Sequence, residues 1–331
     1  MSDYSLKSLL DKGEQALAPC IWDCMSARAA EVCGYNAMLL SSALFAYSCA
    51  GIPDIGLITL DEVEWAVKRI TESSPLPLII DAEDGYGTTT LHCYRSVQRL
   101  IRAGASALTI EDSVPLRGTE RFFGFDEAGN QIHIDPGHAA DVVPQKEWLS
   151  KIEAALEAAS GTDAIIIART HAYYSEGFDE AMDRAVKATK LGAPMTYVSI
   201  PHWQNNYDTC KTIAKRLPGW KMYGDVFSKD GVTDISLDDA MNMGFNLVTL
   251  HCLSYGSFYG MCDFGKHNFE NRSTVYSDNL RTGGEYLKKE MLAMQDYNSQ
   301  KMLSIEKRCF AKADKYASRH APAVSSRQEL W

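Results

Sequence analysis

The chain has 331 residues and a formal net charge of −10, with hydrophobic residues at 46% and charged residues at 23%. That length suits one barrel domain of about 250 residues with additions, or two smaller domains. The composition is that of a globular protein, and the acidic balance argues against nucleic acid or an anionic membrane surface as partner.

The first residues, MSDYSLKSLLDKGEQ, are polar and lack the apolar core of a signal peptide. The nine cysteines form no CxxC pair; Cys20 and Cys24 stand close, but no second pair completes a zinc site. No stretch approaches the roughly 18 apolar residues of a membrane span. A cytoplasmic location with reduced thiols is the expectation.

Short apolar runs then alternate with helical patterns. The predicted strands are Leu17–Trp22, Ala37–Ser41, Leu76–Asp81, Ala107–Glu111, Ala164–Ala168, Thr196–Ser199, Lys221–Tyr223 and Leu247–Leu250. Between them the periodicity predicts helices over Leu60–Thr71, Thr88–Ala103, Gln145–Ala159 and Phe178–Leu191. Strands alternating with helices make βα units and a parallel sheet. Eight such units favour a closed (β/α)8 barrel, with an open doubly wound sheet as the alternative. Ser113 to Pro144 is longer than the usual βα loop and is punctuated by Gly and Pro, as functional lids are. About Asn279 to Ala317 reads as additional C-terminal helices.

Acidic residues collect where strands end. Asp81, Glu83 and Asp84 follow LPLII, Glu111 and Asp112 follow ALTI, and Asp54 lies in the loop after the second strand. Barrel active sites sit at the C-terminal ends of the strands. Carboxylates there make an oxygen-rich site for a hard cation, and Mg²⁺ takes one or two of them and keeps several waters. Asp84, ahead of GYGTTT, could equally cap the next helix. Gly85, Tyr86 and Gly87 allow a tight turn and a close approach of backbone to ligand. Arg169 ends the fifth strand, where a guanidinium can grip a carboxylate or stabilise a developing enolate; an ion pair within the rim is the other reading. Ser41 and Ser42 end the second strand, to hold a carboxylate or simply to fill space. His171, His202 and His251 follow strands five, six and eight, and Cys252 is a nucleophile only in principle.

These residues also carry a resemblance. WDCMSARAAEVCGYNAMLLSS, GIPDIGLITLDEV, DAEDGYG, AGASALTIEDSV, IIIARTHAY and FDEAMDRAVKATKLGA resemble, in order, blocks of the isocitrate lyase/phosphoenolpyruvate mutase superfamily from about Trp22 to Ala193. The resemblance implies a TIM barrel whose last helix is exchanged between subunits of a homo-oligomer, most often a tetramer. It implies Mg²⁺, with Mn²⁺ as the alternative, held by Asp81, Glu83 and Glu111, with Asp54 joining that shell as a catalytic residue. It implies Ser41, Ser42 and Ala43 as a carboxylate-binding loop, Gly85 and Tyr86 beside it, and Arg169 as the substrate-gripping arginine.

Three departures narrow the chemistry. Lyases of the superfamily carry K-(K/R)-C-G-H on a mobile loop, with the Cys as acid; here the stretch is PLRGTERFFG, with Gly118 at the Cys position and Glu120 at the His position. The K-T-N-S of the mutases is absent too, and the usual Asp of ART-D-A is His171. Bound water is the default acid, and among side chains Glu120 is favoured slightly ahead of His133 and Arg117. The expected function is Mg²⁺-dependent C–C cleavage of a small 2-hydroxy or 2-oxo dicarboxylic acid through an enolate. A hydrolase or decarboxylase of an oxaloacetate- or phosphonopyruvate-like acid, and a barrel that binds a metabolite without turnover, are the alternatives.

Overall fold

Eight apolar runs form eight parallel strands that close on themselves. In the computed structural model they are β1 (Ala16–Ile21), β2 (Met38–Leu40), β3 (Leu78–Asp81), β4 (Ala107–Glu111), β5 (Ile165–Thr170), β6 (Met195–Val198), β7 (Trp220–Tyr223) and β8 (Leu247–Leu250). Each pairs with its neighbours in sequence, and β8 returns to β1. The structure describes residues 5–114, 123–125, 128, 131–133, 141–201, 207–224, 228–229, 232–233, 235–282, 293 and 297–314. Closure excludes the open-sheet alternative. The fold is the (β/α)8 barrel, and every predicted strand falls on an observed one, with no end shifted by more than two residues.

The pleat sorts the side chains into two cores. Ala18, Cys20, Leu39, Ile79, Ala107, Ile165, Ile167, Met195, Tyr197, Met222 and Leu247 pack together inside the barrel. Their sequence neighbours Leu40, Leu78, Ile80, Leu108, Ile110, Ile166 and Ala168 pack against the surrounding helices. With both faces buried, the strands are apolar throughout instead of alternating. Leu6 and Leu10 of α1 (Leu6–Asp11) join the interior cluster, so this helix closes the end of the barrel where the strands begin.

The helices start at local signals. Asp23 caps α2 (Cys24–Val32) and Thr59 caps α3 (Leu60–Ser73), each in a reciprocal box with Ser26 and Glu62. Thr89 caps α4 (Thr90–Ala103), which stops at Gly104 in the left-handed region. On α5 (Gln145–Ala159), Trp148 is fully buried and donates through Nε1 to the Ile110 carbonyl at 3.2 Å. Then come α6 (Phe178–Lys190), α7 (Tyr207–Arg216), α8 (Leu237–Met243) and α9 (Cys252–Asn271).

The chain divides into two compact units, Met1–Ser277 and Asp278–Trp331. The second contains the helix Ser299–Asp314. Among the described residues no helix is long and apolar enough to cross a membrane.

Candidate active site

The inward-facing rows of β3 and β5 are apolar until Asp81 and Arg169, and that of β4 turns polar at Thr109 before it ends on Glu111. Asp81 stands opposite Thr109, and Glu111 opposite Arg169, in the parallel register. Asp81, Glu111 and Arg169, which sequence spacing could only place at strand ends, are therefore brought together with Thr109 at the C-terminal mouth.

The Asp81 carboxylate accepts from Ser42 Oγ at 3.0 Å, Thr109 Oγ1 at 3.1 Å and Arg169 Nη1 at 3.1 Å. The same Nη1 lies 3.2 Å from Glu111 Oε2, which His171 Nε2 approaches to 3.3 Å. The Glu111 side chain is fully buried. Burying carboxylates is costly unless cations and donors meet them, and here one guanidinium serves two. Below it lies the Tyr197 ring, its centroid 5.2 Å from Arg169 Cζ.

The DAEDGYG segment is fixed from outside the barrel. Lys151, on the inner face of α5, is 2% exposed and donates to both the carbonyl and the carboxylate Oδ2 of Asp84, each at 3.1 Å. Asp84 Oδ1 in turn accepts from the Tyr86 backbone N–H at 3.0 Å. These contacts hold Glu83 and Tyr86 at φ of 56° and 57°, which costs a non-glycine residue roughly 1–2 kcal/mol each. Asp84 is thus a loop clamp and not a helix cap, a role taken by Thr89. At Gly85 the crowding comes from the chain itself: a Cβ would lie 2.8 Å from Cys93 Sγ on α4. The Tyr86 hydroxyl donates to the Asp81 carbonyl at 3.4 Å. Burial, with the Asp81 and Asp84 charges, raises its pKa well above the usual phenol value, so it remains a donor.

Asp112 leaves the acidic group. It is completely buried on the helix side, where its carboxylate takes Thr170 Oγ1 at 2.5 Å, the His171 N–H at 2.7 Å and Arg184 Nη1 at 3.1 Å. Arg184 also donates to the Val143 carbonyl at 2.9 Å. This network ties the ends of β4 and β5 to α6 and is structural.

The other sequence candidates fall in different places. Ser41 caps the short helix Ser42–Phe45 by accepting from the Leu44 N–H at 3.3 Å, and Ala43 sits in that turn. Asp54 is buried in the loop before α3. Glu83 is buried too, its carbonyl accepting from the Glu111 N–H at 2.9 Å. His251 precedes α9, and Cys252 Sγ lies 3.6 Å from the Tyr35 hydroxyl. Arg117, Gly118, Glu120 and His202 lie outside the described residues, as does the side chain of His133.

Sequence reading passed over Thr109, Lys151 and Tyr197. Thr109 and Tyr197 had a signal in the strand period, each being inward-facing near a strand end. Lys151 had one as well, a lysine on the apolar stripe Trp148, Ile152 and Ala155.

Among the described residues no three His, Cys, Asp or Glu side chains converge tightly enough to cage a metal ion. Asp81 and Glu111, which share the Arg169 guanidinium, offer only oxygen donors, the kind that a hard divalent cation takes.

Comparison with known proteins adds independent findings. A family model described as phosphoenolpyruvate phosphomutase matches residues 6–262. The chain is 36% identical over 168 residues to the 2-methylisocitrate lyase of Salmonella typhimurium, covering 51% of this chain and 52% of that protein. It is 31% identical over 215 residues to the oxaloacetate decarboxylase of Paraburkholderia xenovorans, covering 63% of this chain and 65% of the other. The match thus spans about half of the first relative's length and just under two thirds of the second's. The structure of an oxaloacetate acetylhydrolase in complex with 3,3-difluorooxalacetate superposes with a TM-score of 0.76 at 20% identity, covering 92% of this chain and 96% of that one. At that identity the likeness speaks for the fold.

Proposed function

Since the chain belongs to the phosphoenolpyruvate phosphomutase family, within the isocitrate lyase/phosphoenolpyruvate mutase superfamily, we propose that it is a divalent-metal-dependent carbon–carbon lyase. Its substrate is a small 2-hydroxy or 2-oxo dicarboxylic acid. The observation that carries this reading is the single Arg169 Nη1 lying between Asp81 and Glu111, at 3.1 and 3.2 Å, in the barrel mouth.

Asp81, Glu83 and Glu111 would hold Mg²⁺, or Mn²⁺ in its place, with Asp54 nearby. When bound, such a cation supplies Lewis-acid polarisation of substrate oxygens. The remaining work belongs to the chain. Arg169 binds the substrate's anionic end and stabilises negative charge as it develops. Ser41, Ser42 and Ala43 hold a second carboxylate, and Gly85 with Tyr86 walls the site beside Asp81. With a 2-hydroxy acid, the hydroxyl proton leaves to a base and a carbonyl forms. The bond to the adjacent carbon breaks, and its electron pair becomes an enolate. Glu120 returns a proton to that carbon and releases the second acid.

A decarboxylase or C–C hydrolase of an oxaloacetate-like acid is the second reading. It is favoured by Gly118, which stands where a cysteine acid would serve a lyase, and by the likeness to an oxaloacetate decarboxylase.

A homo-oligomer, most simply a tetramer built on exchanged helices, completes the proposal. None of the described side chains of α9 is buried, and Tyr255, Phe258, Tyr259 and Met261 are between 63% and 75% exposed. An apolar helix face needs a cover. The working place of such an enzyme is the cytoplasm.

The test is incubation with Mg²⁺ and a panel of 2-hydroxy and 2-oxo dicarboxylates, followed for pyruvate, glyoxylate, oxalate and CO₂. A 2-oxo acid released without CO₂ supports the lyase; CO₂ or oxalate supports the second reading. No turnover of any member would overturn both.

A further inference from the structure

Arg169 meets both carboxylates through one nitrogen, Nη1, and contacts made through a single atom hold a long flexible side chain only while the rest of it is supported. Tyr197 is placed to give that support. Tyr197 is the residue opposite Arg169 across β5 and β6, and both face the barrel interior. Its ring centroid lies 5.2 Å from Arg169 Cζ, within the roughly 6 Å over which a cation is drawn to an aromatic face.

The ring can lie there because the next strand makes room. Gly224 directly follows β7, and a Cβ built on it would fall 2.0 Å from Tyr197 Oη and 2.5 Å from Cζ. Those separations are far inside van der Waals contact, so any side chain at 224 would evict the phenol. Gly224 is not among the glycines with positive φ. Its backbone conformation would accept an alanine; only the space would not.

We propose that Tyr197 is a positioning residue for Arg169, its ring set under the guanidinium by the space that Gly224 leaves open. Tyr197 acts on the reaction only through Arg169, so its effect on catalysis rests on the function proposed above. The effect on Arg169 itself does not. On this proposal it is the ring that supports the guanidinium, so loss of the hydroxyl alone separates that support from direct contact with substrate.

The experiment uses the full chain and four variants, Tyr197→Phe, Tyr197→Leu, Gly224→Ala and Arg169→Ala. Ligand-free crystal structures read the Arg169 contacts, and calorimetry with Mg²⁺ reads the affinity for oxalate, an enolate mimic. Tyr197→Phe should keep both Arg169 contacts and bind oxalate as the unaltered protein does. Tyr197→Leu and Gly224→Ala should each lose at least one Arg169 contact and weaken oxalate by about tenfold. Should Gly224→Ala fold poorly, adding Tyr197→Leu should restore folding, because leucine does not reach the glycine. Unmoved Arg169 contacts in Tyr197→Leu would overturn the inference. So would equal loss of oxalate in the Phe and Leu variants, which would give the hydroxyl the role. If neither the unaltered protein nor Arg169→Ala binds oxalate, the proposed function fails, while the crystal structures still decide the placement of Arg169.

Discussion

Lys151 Nζ donates to the Asp84 carbonyl and to its carboxylate, both at 3.1 Å, but the two partners are buried to very different degrees. The lysine side chain is 3% exposed and the aspartate 28%. Removing either breaks the same ion pair with unequal consequences. Asp84→Ala strands a lysine that water cannot reach, at a cost of about 3–5 kcal/mol. Lys151→Met leaves a carboxylate that can turn to solvent, so about 1–2 kcal/mol is expected once screening is allowed for. Urea unfolding of both variants measures the difference. An equal or reversed order would show that the clamp is not held from the lysine side.

Metal removal should separate site from scaffold. Asp81 ends a strand and faces the mouth, so Asp81→Ala should abolish turnover while circular dichroism and the melting temperature change little. EDTA should do the same reversibly, with Mg²⁺ restoring activity. Arg169→Ala should lower kcat by about 10²–10³, the usual loss for a donor aimed at developing charge. Full activity in metal-free buffer would remove the carboxylate assignment.

Glu120 can be tested without knowing where its side chain lies. If it returns the proton to the cleaved carbon, Glu120→Gln should lower kcat by about 10²–10³, within the range of general acid catalysis. Oxalate affinity should stay unchanged, since oxalate takes up no proton. Unaltered kcat would leave water as the acid.

Alkaline stability should decline before the arginines or most lysines titrate. Burial raises the Cys93 thiol to about 12 against a Lys151 charge that lowers it, and burial raises Cys210 to about 12 against a hydrogen bond with Tyr223. A thiol with a raised folded pKa favours the fold fully below its unfolded value of 9.0, and that contribution is lost as the pH rises toward 12. Urea midpoints measured under reducing conditions should therefore fall steadily above about pH 9. A Cys93→Ala, Cys210→Ala double variant should show a shallower fall; an identical slope would assign the loss to other groups.

Oligomerisation should depend on α9. Light scattering at micromolar concentration is expected to give a tetramer, and Phe258→Asp with Tyr259→Asp to give smaller species that still melt cooperatively. A monomer from the unaltered chain would defeat the assembly proposal.

The barrel was legible because βα alternation is a local pattern repeated eight times, and each strand reported its own burial. The strand-end residues Asp81, Glu111 and Arg169 were legible for the same reason, since position at a strand end fixes the layer in which a side chain lies. Pairing was less legible. Asp84 and Asp112 look like members of the acidic cluster in sequence, but their partners Lys151 and Arg184 come from helices 67 and 72 residues away. Nothing within the DAEDGYG or IED segments announces those lysine and arginine partners. The Tyr197–Gly224 fit was hidden for a related reason, because the space at a glycine belongs to whichever side chain crosses from the next strand.

Glu111 and Asp112 are consecutive residues of like charge and nearly like size, yet one faces the mouth and the other the Arg184 network. The strand pleat alone tells them apart. A single-residue deletion within β4 would carry Glu111 outward and draw the shorter Asp112 into the mouth. Nearly all hydrophobic burial could survive such a slip, because alanine, leucine and isoleucine fill either side of this strand. Register in β4 is therefore enforced by polar geometry more than by greasy surface, and it makes this short strand far less tolerant of insertions or deletions than of substitutions.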